Sequence, residues 1–181
     1  MKKHIFIAIN FETSFLKKDF EIIKKELEDK PIKWVEIENI HLTLAFLGSI
    51  PNKKIGFVEY AIEKNLRDIS PLKIDLASLE NFSRVLWIDA KIENKEKLKN
   101  FQERLIYDLS ENFHIKNQKF VPHITIGRFK GKVKKDRITN IIKKYKKHTF
   151  GTVMADSIDL MESTLNNDGP KYKILKKFSL K

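Results

Sequence analysis

The alternation of apolar and polar positions divides the chain into short strands and amphipathic helices. Phe20, Ile23 and Leu27 are spaced three or four residues apart, which places them on one face of a helix. Shorter runs rich in Ile, Leu, Val and Phe, bounded by Gly, Pro or Asn, favour strands. The predicted strands cover residues 3–10, 32–37, 40–47, 72–79, 84–90, 121–129, 152–162 and 171–180; predicted helices follow Thr13, Pro51 and Asn94, and a fourth, very basic helix covers 133–147.

The order of these elements predicts an α+β fold. Strands and helices alternate, but several consecutive strands are joined by short turns, as at 166–170, and short turns favour antiparallel pairing. Each half of the chain has a strand, a long helix and then a strand with the motif His-apolar-Thr-apolar, at 41–44 and at 123–126. We therefore predict one domain over residues 1–181. It has two similar lobes of mainly antiparallel sheet with flanking helices, related by an approximate twofold axis.

The repeated motif supplies the candidate chemistry. In a strand, residues two apart point to the same side. His41 and Thr43 therefore project together, as do His123 and Thr125, while the apolar residues between them enter the core. Composition gives only about a few hundredths of one such match by chance, so two copies indicate a function. If the lobes pack symmetrically, both pairs face one cleft, which is the predicted active site.

Two imidazoles and two hydroxyls suit the opening of a five-membered cyclic phosphate by water. One group must take a proton from water while another protonates the leaving ribose oxygen, from opposite sides of phosphorus. Since histidine has an ordinary pKa of about 6.5, one neutral and one protonated ring can coexist near neutral pH. The threonine hydroxyls can donate hydrogen bonds to the non-bridging oxygens.

The composition limits the class of protein. A hydrophobic content of 41% is enough for a sizeable core, and the absence of cysteine excludes disulfides and thiolate metal sites. A cysteine-free chain suits a reducing cytoplasm, the predicted location. No apolar run approaches the length of a membrane span, so no membrane association is predicted.

The net charge of +12 favours polyanionic partners such as RNA. The same charge has a plainer explanation, because lysine pairs such as Lys143/Lys144 fall on apparent helix faces where they are ordinarily solvated. The basic helix over 133–147 can be interpreted in either way. Charge alone therefore does not decide between these two explanations.

Neither a metal nor a cofactor is predicted. No Asp or Glu accompanies either motif at ligand-like spacing, and a zinc site normally needs three or four protein ligands. The chain also lacks a Gly-rich phosphate loop of the kind that binds ATP or NAD. His4, His114 and His148 have no threonine partner, and we predict that they are structural or exposed.

Sequence stretches across most of the chain carry a resemblance to a known family. They are Trp34-Val35, Asn39 to Leu44, Phe46 to Gly48, Arg84 to Ile88, Phe120 to Arg128, Leu160 to Ser163 and Gly169 to Tyr172. With them the chain resembles the RNA 2′,3′-cyclic phosphodiesterases, historically called 2′-5′ RNA ligases, of the two-histidine phosphoesterase superfamily.

The resemblance implies a bilobal enzyme that hydrolyses a terminal 2′,3′-cyclic phosphate on RNA to a 2′-phosphomonoester. It also implies the roles of the histidines: His41 is the proton donor and His123 is the acceptor that activates water. The near-symmetric motifs do not make that assignment by themselves. Ligation of a cyclic phosphate to a 5′-hydroxyl would use the same chemistry, but abundant water favours hydrolysis. We predict a monomer that acts on RNA or oligonucleotide ends.

Other residues have both a functional and a structural interpretation. Arg128 can clamp a phosphate or form a strand-end salt bridge, and we favour the phosphate. Arg84 is left undecided, and Tyr172 can donate a hydrogen bond at the rim of the cleft. Three strand aromatics can stack on a base or belong to the core, and the core is favoured for them. They are Trp34, Phe46 and Trp87.

Two alternative functions remain open at the level of sequence. One is a non-catalytic module that binds RNA or a nucleotide on the same fold, although binding alone does not need two proton-transfer groups. The other keeps the chemistry and changes the substrate to 2′,5′-linked oligonucleotides or a small cyclic metabolite. Turnover in the presence of a chelator, with the substrates compared side by side, separates these possibilities.

Overall fold

The computed structural model describes residues 2–67, 69–115, 119–131, 135–166 and 169–181. These parts contain nine strands and four α-helices. The strands are β1 (Lys2–Ile9), β2 (Ile32–Trp34), β3 (Leu42–Pro51), β4 (Leu72–Phe82), β5 (Val85–Ile92), β6 (His123–Phe129), β7 (Thr149–Ala155), β8 (Ser157–Asn166) and β9 (Gly169–Ser179). The helices are α1 (Lys17–Glu26), α2 (Ile55–Asn65), α3 (Lys95–Ser110) and α4 (Lys135–Tyr145), with single 3-10 turns at Ser14–Leu16, Ile37–Asn39 and Asn52–Lys54.

All strands join one antiparallel sheet, in the order β7-β4-β5-β6-β3-β1-β8-β9, with β2 paired to β6. The centre of the sheet is narrow, because β3 and β6 pair in register only at Leu42 and Ile124. We call β9, β8, β1 and β3 the first lobe, and β7, β4, β5, β6 and β2 the second lobe. The predicted α+β class and mainly antiparallel sheet are confirmed.

The apolar faces of the two lobes are covered by helices. In the first lobe α3 lies against β3 and α2 against β9, and in the second lobe α4 lies against β4. Leu86, Ile88 and Ala90 of β5 are buried in the resulting core, which continues through both lobes. Strands of both lobes also line a cleft.

The lobes do not correspond to the two halves of the chain. β1 and β3 come from the beginning of the sequence, whereas their neighbours β8 and β9 come from its end. The chain returns to the first lobe at Asp156, between β7 at one edge of the sheet and β8 near the other. A single strand over 152–162 was predicted here, and that prediction is wrong because the chain crosses between lobes within it.

Two local predictions also differ from the structure. Residues 48–51 lie beyond the predicted strand 40–47, but they continue β3 because they pair with the first residues of β1. Asn94 does precede α3, but it adopts a left-handed conformation (φ 59°) and its side chain makes no capping hydrogen bond. Among the described residues, no helix is long and apolar enough to cross a membrane.

Candidate active site

The two His-x-Thr motifs lie at the junction of the lobes. Leu42 and Ile124, the apolar residues in the middle of the motifs, are completely buried and pair with each other across β3 and β6. An antiparallel pair has local twofold symmetry, so this pairing relates the two motifs. His41 consequently lies on the side of Thr125, and Thr43 on the side of His123.

The four side chains share one cleft. His41, Thr43, His123 and Thr125 are all half-buried and line a space of about 600 Å³ between the lobes. The structure thus brings together the residues that the sequence motif singled out. The walls come from the strands β1, β8 and β9 of the first lobe, from β2 and from the end of β6.

A β-bulge follows each threonine and adds one more side chain to the cleft. The register of β3 against β1 shifts near Ala45, and that of β6 against β5 shifts at Ile126. The bulge buries two consecutive residues, Leu44 and Ala45 in β3 and Ile126 and Gly127 in β6. The side chain of the residue after them lies on the cleft side again. These equivalent residues are Phe46, whose side chain is 57% exposed, and Arg128.

Backbone carbonyls orient both imidazole rings in the same way. Nδ1 of His41 lies 2.7 Å from the carbonyl oxygen of Asn39, and Nδ1 of His123 lies 2.7 Å from that of Val121. A carbonyl only accepts hydrogen bonds, so Nδ1 carries the proton in each ring. Nε2 is then left to accept a proton in the neutral ring or to donate one in the charged ring.

Aromatic side chains pack around each ring. Phe6 and Tyr172 contact His41, with ring centroids 5.1 and 5.2 Å away. Phe82 and Trp87 contact His123 at 5.5 and 5.4 Å. This packing restricts each imidazole to the orientation that its carbonyl selects. Phe6 and Phe82 were not singled out in the sequence, where they look like ordinary apolar strand residues.

The electrostatic environment of His41 favours its neutral form. Burial lowers the pKa of His41 below the ordinary value of 6.5. The hydrogen bond with Asn39 opposes this shift, and repulsion from His123 adds to it. The two rings are therefore close enough for the charge of one to affect the other.

The remaining sequence candidates have mixed outcomes. Trp34 lines the cleft and packs edge-on against Phe20. Part of its ring therefore contacts the core and part faces the cleft. Tyr172 also lines the cleft, and burial raises the pKa of its hydroxyl.

Arg84 is exposed in the turn between β4 and β5, outside the cleft lining. The basic helix α4 packs against the core side of β4, opposite the cleft face, which favours the solvated interpretation.

The three other histidines differ from one another. His4 is exposed, as predicted, but it lines the outer part of the cleft. His114 is exposed and lies outside the cleft. His148 lies 3.3 Å from a carboxylate oxygen of Asp19. Within the described ranges, no group of three or more His, Asp or Glu side chains is arranged to hold a metal ion.

Comparisons with known proteins agree with this architecture. A family model described as "AKAP7 2'5' RNA ligase-like domain" matches residues 4–180. A Methanocaldococcus jannaschii relative named RNA 2′,3′-cyclic phosphodiesterase is 34% identical, over 96% of this chain and 99% of its own. An Aquifex aeolicus relative of the same name is 37% identical over 88% of each chain. The solved structure of Escherichia coli LigT complexed with 3′-AMP shares the fold, with a TM-score of 0.78, 21% identity and 99% coverage of each chain. The chain therefore belongs to the 2′-5′ RNA ligase-like family of two-histidine phosphoesterases.

Proposed function

We propose that the protein hydrolyses the 2′,3′-cyclic phosphate at the end of an RNA chain to a 2′-phosphomonoester. The observation that carries this proposal is the pair of equivalently oriented imidazoles, His41 and His123, related by the pairing of Leu42 with Ile124 in one cleft. The names of the relatives from Methanocaldococcus jannaschii and Aquifex aeolicus support the same activity.

The bond changes follow from the two rings. Nε2 of neutral His123 takes a proton from water as the water oxygen forms a bond to phosphorus. The bond from phosphorus to O3′ breaks, and Nε2 of protonated His41 donates its proton to O3′. One P–O bond forms, one breaks, and the phosphate stays on O2′. After release of the product, exchange with solvent returns both rings to their starting states.

The order of residues along the lobe junction supports this assignment of donor and acceptor. Phe46 lies beyond Thr43 and His123, while Arg128 lies beyond Thr125 and His41, on the other side of the twofold axis. The exposed ring of Phe46 is suited to stack on a nucleobase. Because the base is attached next to O2′, stacking there directs O3′ toward His41.

The other polar groups of the cleft have roles that fit the charge of the phosphate. The hydroxyls of Thr43 and Thr125 donate hydrogen bonds to the non-bridging oxygens. Arg128 supplies a fixed positive charge where negative charge grows in the transition state. The substrate phosphate also opposes the effect of burial on the pKa of His41, since a nearby anion favours the protonated ring.

The proposal also covers cofactors, oligomeric state and location, as predicted from the sequence. The two histidines supply both proton transfers, so the scheme uses no metal ion and no cofactor. The protein acts as a monomer on RNA or oligonucleotide ends. The cysteine-free sequence suits a cytoplasmic location.

The direct test measures hydrolysis of a nucleoside 2′,3′-cyclic phosphate with excess chelator present. We expect His41→Ala and His123→Ala each to lower kcat by about 100-fold or more, the scale of a general acid or base. His114→Ala, a histidine outside the cleft, is the matched control and should retain full activity. Phosphorus NMR should identify a 2′-phosphomonoester.

Several results would contradict the proposal. A 3′-phosphomonoester product would reverse the positions of the two ribose oxygens relative to His41. Binding of the cyclic nucleotide without turnover by the unmodified protein would favour a non-catalytic binding module. Faster cleavage of 2′,5′-linked oligonucleotides, compared side by side, would change the substrate class. Formation of a longer RNA from a cyclic phosphate end and a 5′-hydroxyl end would not contradict hydrolysis, because it would show ligation by the same chemistry.

A further inference from the structure

Lys33 lies at one end of the cleft and has no role in the proposed hydrolysis. It is on β2, directly opposite Arg128 of β6 in the strand register, and both side chains line the cleft. Two positive charges directly opposite each other on neighbouring strands repel. Within the described ranges, Lys33 forms no hydrogen bond or ion pair that would offset this repulsion.

Lys33 is an exposed side chain at the end of the cleft. Its Nζ lies beside the tip of the β8–β9 hairpin, 3.9 Å from the point that a Cβ on Gly169 would occupy. Glu36 is on the same wall of the cleft, but it is not paired with Lys33 in the described structure. The net charge of Lys33, Arg128 and Glu36 is therefore positive at this end.

The position along the lobe junction fits one particular phosphate. Arg128 and Lys33 lie roughly 10–13 Å along β6 from Ile124, at about 3.3 Å per residue. That distance is longer than the spacing between successive phosphates in RNA, so the long side chains of Arg128 and Lys33 must extend back toward the motifs to reach the terminal nucleotide. With the base stacked on Phe46, the ribose is oriented with C1′ toward Phe46 and C4′ toward Lys33. The 5′-oxygen of the terminal nucleotide then leaves the cleft at the end where Lys33 lies.

We propose that Lys33 binds the phosphodiester that joins the terminal nucleotide to the rest of the RNA. This inference rests on the proposed function and names its substrate class more narrowly. The site distinguishes an RNA end, which carries that phosphodiester, from a cyclic mononucleotide with a free 5′-hydroxyl. Arg128 neutralises the reacting phosphate, and Lys33 neutralises the next one.

The test compares two substrates that differ by this phosphodiester and the nucleoside attached to it. One is a dinucleotide with a 2′,3′-cyclic phosphate, and the other is the corresponding nucleoside 2′,3′-cyclic phosphate. The readout is the ratio of kcat/KM for the dinucleotide to kcat/KM for the nucleoside. Lys33→Met removes the charge and keeps the aliphatic stem. We expect it to lower the ratio about tenfold, the scale of a hydrogen bond to a charged group.

A matched control is available two residues beyond Arg128. Lys130 is exposed and lies outside the cleft lining, and its backbone N–H donates to the carbonyl of Pro31, a bond that a substitution leaves in place. Lys130→Met should leave the ratio unchanged within about twofold, because an exposed charge outside the cleft contributes little. The inference is overturned if Lys33→Met leaves the ratio unchanged or lowers both rates equally.

The two proposals can fail separately. If the unmodified protein hydrolyses neither compound, the proposed hydrolysis is wrong. The Lys33 site is then tested by calorimetry with the corresponding 2′-phosphates, the dinucleotide and the nucleoside form. Tighter binding of the dinucleotide, lost in Lys33→Met and kept in Lys130→Met, supports the site. Equal binding of the two ligands overturns it.

Discussion

At the scale of single residues, the two histidines have the same orientation but different surroundings. A carbonyl two residues earlier fixes the tautomer of each ring, at 2.7 Å in both motifs. Burial lowers the pKa of His41 below its ordinary value. A lowered pKa makes His41 the stronger acid once protonated, but it reduces the protonated fraction at neutral pH. The substrate phosphate must therefore help to recruit the proton.

This reasoning predicts a shift that NMR can measure. We expect the ring of His41 in the free protein to titrate below 6.5, because burial disfavours the charged imidazole. Addition of a nucleoside 2′-phosphate should raise that pKa, since the bound phosphate stabilises the charged ring. The measurement is a pH titration of the ring nitrogen resonances, assigned with His41→Gln. A free-protein pKa at or above 6.5, or a decrease on binding, would contradict this electrostatic account.

Residue-level chemistry was the part most accessible from the sequence. The histidines and threonines could be predicted because a strand with a period of two determines which side chains share a face. Phe46 was assigned to the core and was misjudged, although the motif strand itself was identified. Phe46 lies five residues after His41, so in a regular strand its side chain would be on the face opposite the cleft. The bulge that returns it to the cleft face cannot be recognised from a single sequence.

At the scale of elements, each motif strand needs a bulge that buries two successive residues. In β3 the second of these is Ala45, and in β6 it is Gly127. The difference follows from the neighbouring strand. A Cβ on Gly127 would lie 2.7 Å from Cγ2 of Ile32 and 3.2 Å from Cε3 of Trp34, both on β2. The glycine therefore allows β2 to pack beside the bulge, where it presents its side chains to the cleft.

Gly127→Ala is expected to displace β2 and destabilise the protein. The free energy of unfolding should fall by about 1–3 kcal/mol, the usual effect of overpacking in a tight core. The measurement is urea denaturation, with the midpoint decreasing at an unchanged slope. The matched control is Gly56→Ala in α2, where nothing lies within 4 Å of the added Cβ, and helix propensity predicts a gain of up to about 1 kcal/mol. A stability loss in Gly56→Ala as large as that in Gly127→Ala would contradict the steric explanation.

The sequence did not predict that β7 and β8 are separate strands. Periodicity identified β8 but merged it with β7, because the apolar pattern continues through Asp156 without a glycine or proline. Only pairing with distant partners separates the two strands: β7 pairs with β4, and β8 pairs with β1 and β9. Long-range pairing of this kind is decided by the assembled core, which a local pattern does not contain.

At the scale of the whole molecule, two contacts beside the motifs join elements that are far apart in the chain. One is the single register pair between Leu42 and Ile124. The other is at the mouth of the cleft, where the side-chain amide of Asn39 donates a hydrogen bond of 3.4 Å to the carbonyl of Pro170 on the β8–β9 hairpin. Asn39 also supplies the carbonyl that orients His41. The position of the hairpin and the orientation of the His41 ring are therefore mechanically connected.

The second motif offers a natural comparison, because Val121 supplies the orienting carbonyl to His123 and its apolar side chain cannot donate a hydrogen bond. Asn39→Leu keeps the size of the side chain and the backbone carbonyl but removes the amide donor. We expect it to lower kcat about threefold to tenfold, the effect of losing one neutral hydrogen bond. Nitrogen NMR reports which ring nitrogen carries the proton. In Asn39→Leu, His41 should become a mixture of the Nδ1-protonated and Nε2-protonated tautomers, whereas His123 should remain Nδ1-protonated. Val121→Ala, the matched variant in the second motif, should change neither property. A fall in kcat with the His41 tautomer unchanged would show that Asn39 acts only on the hairpin, and the mechanical connection would then be wrong.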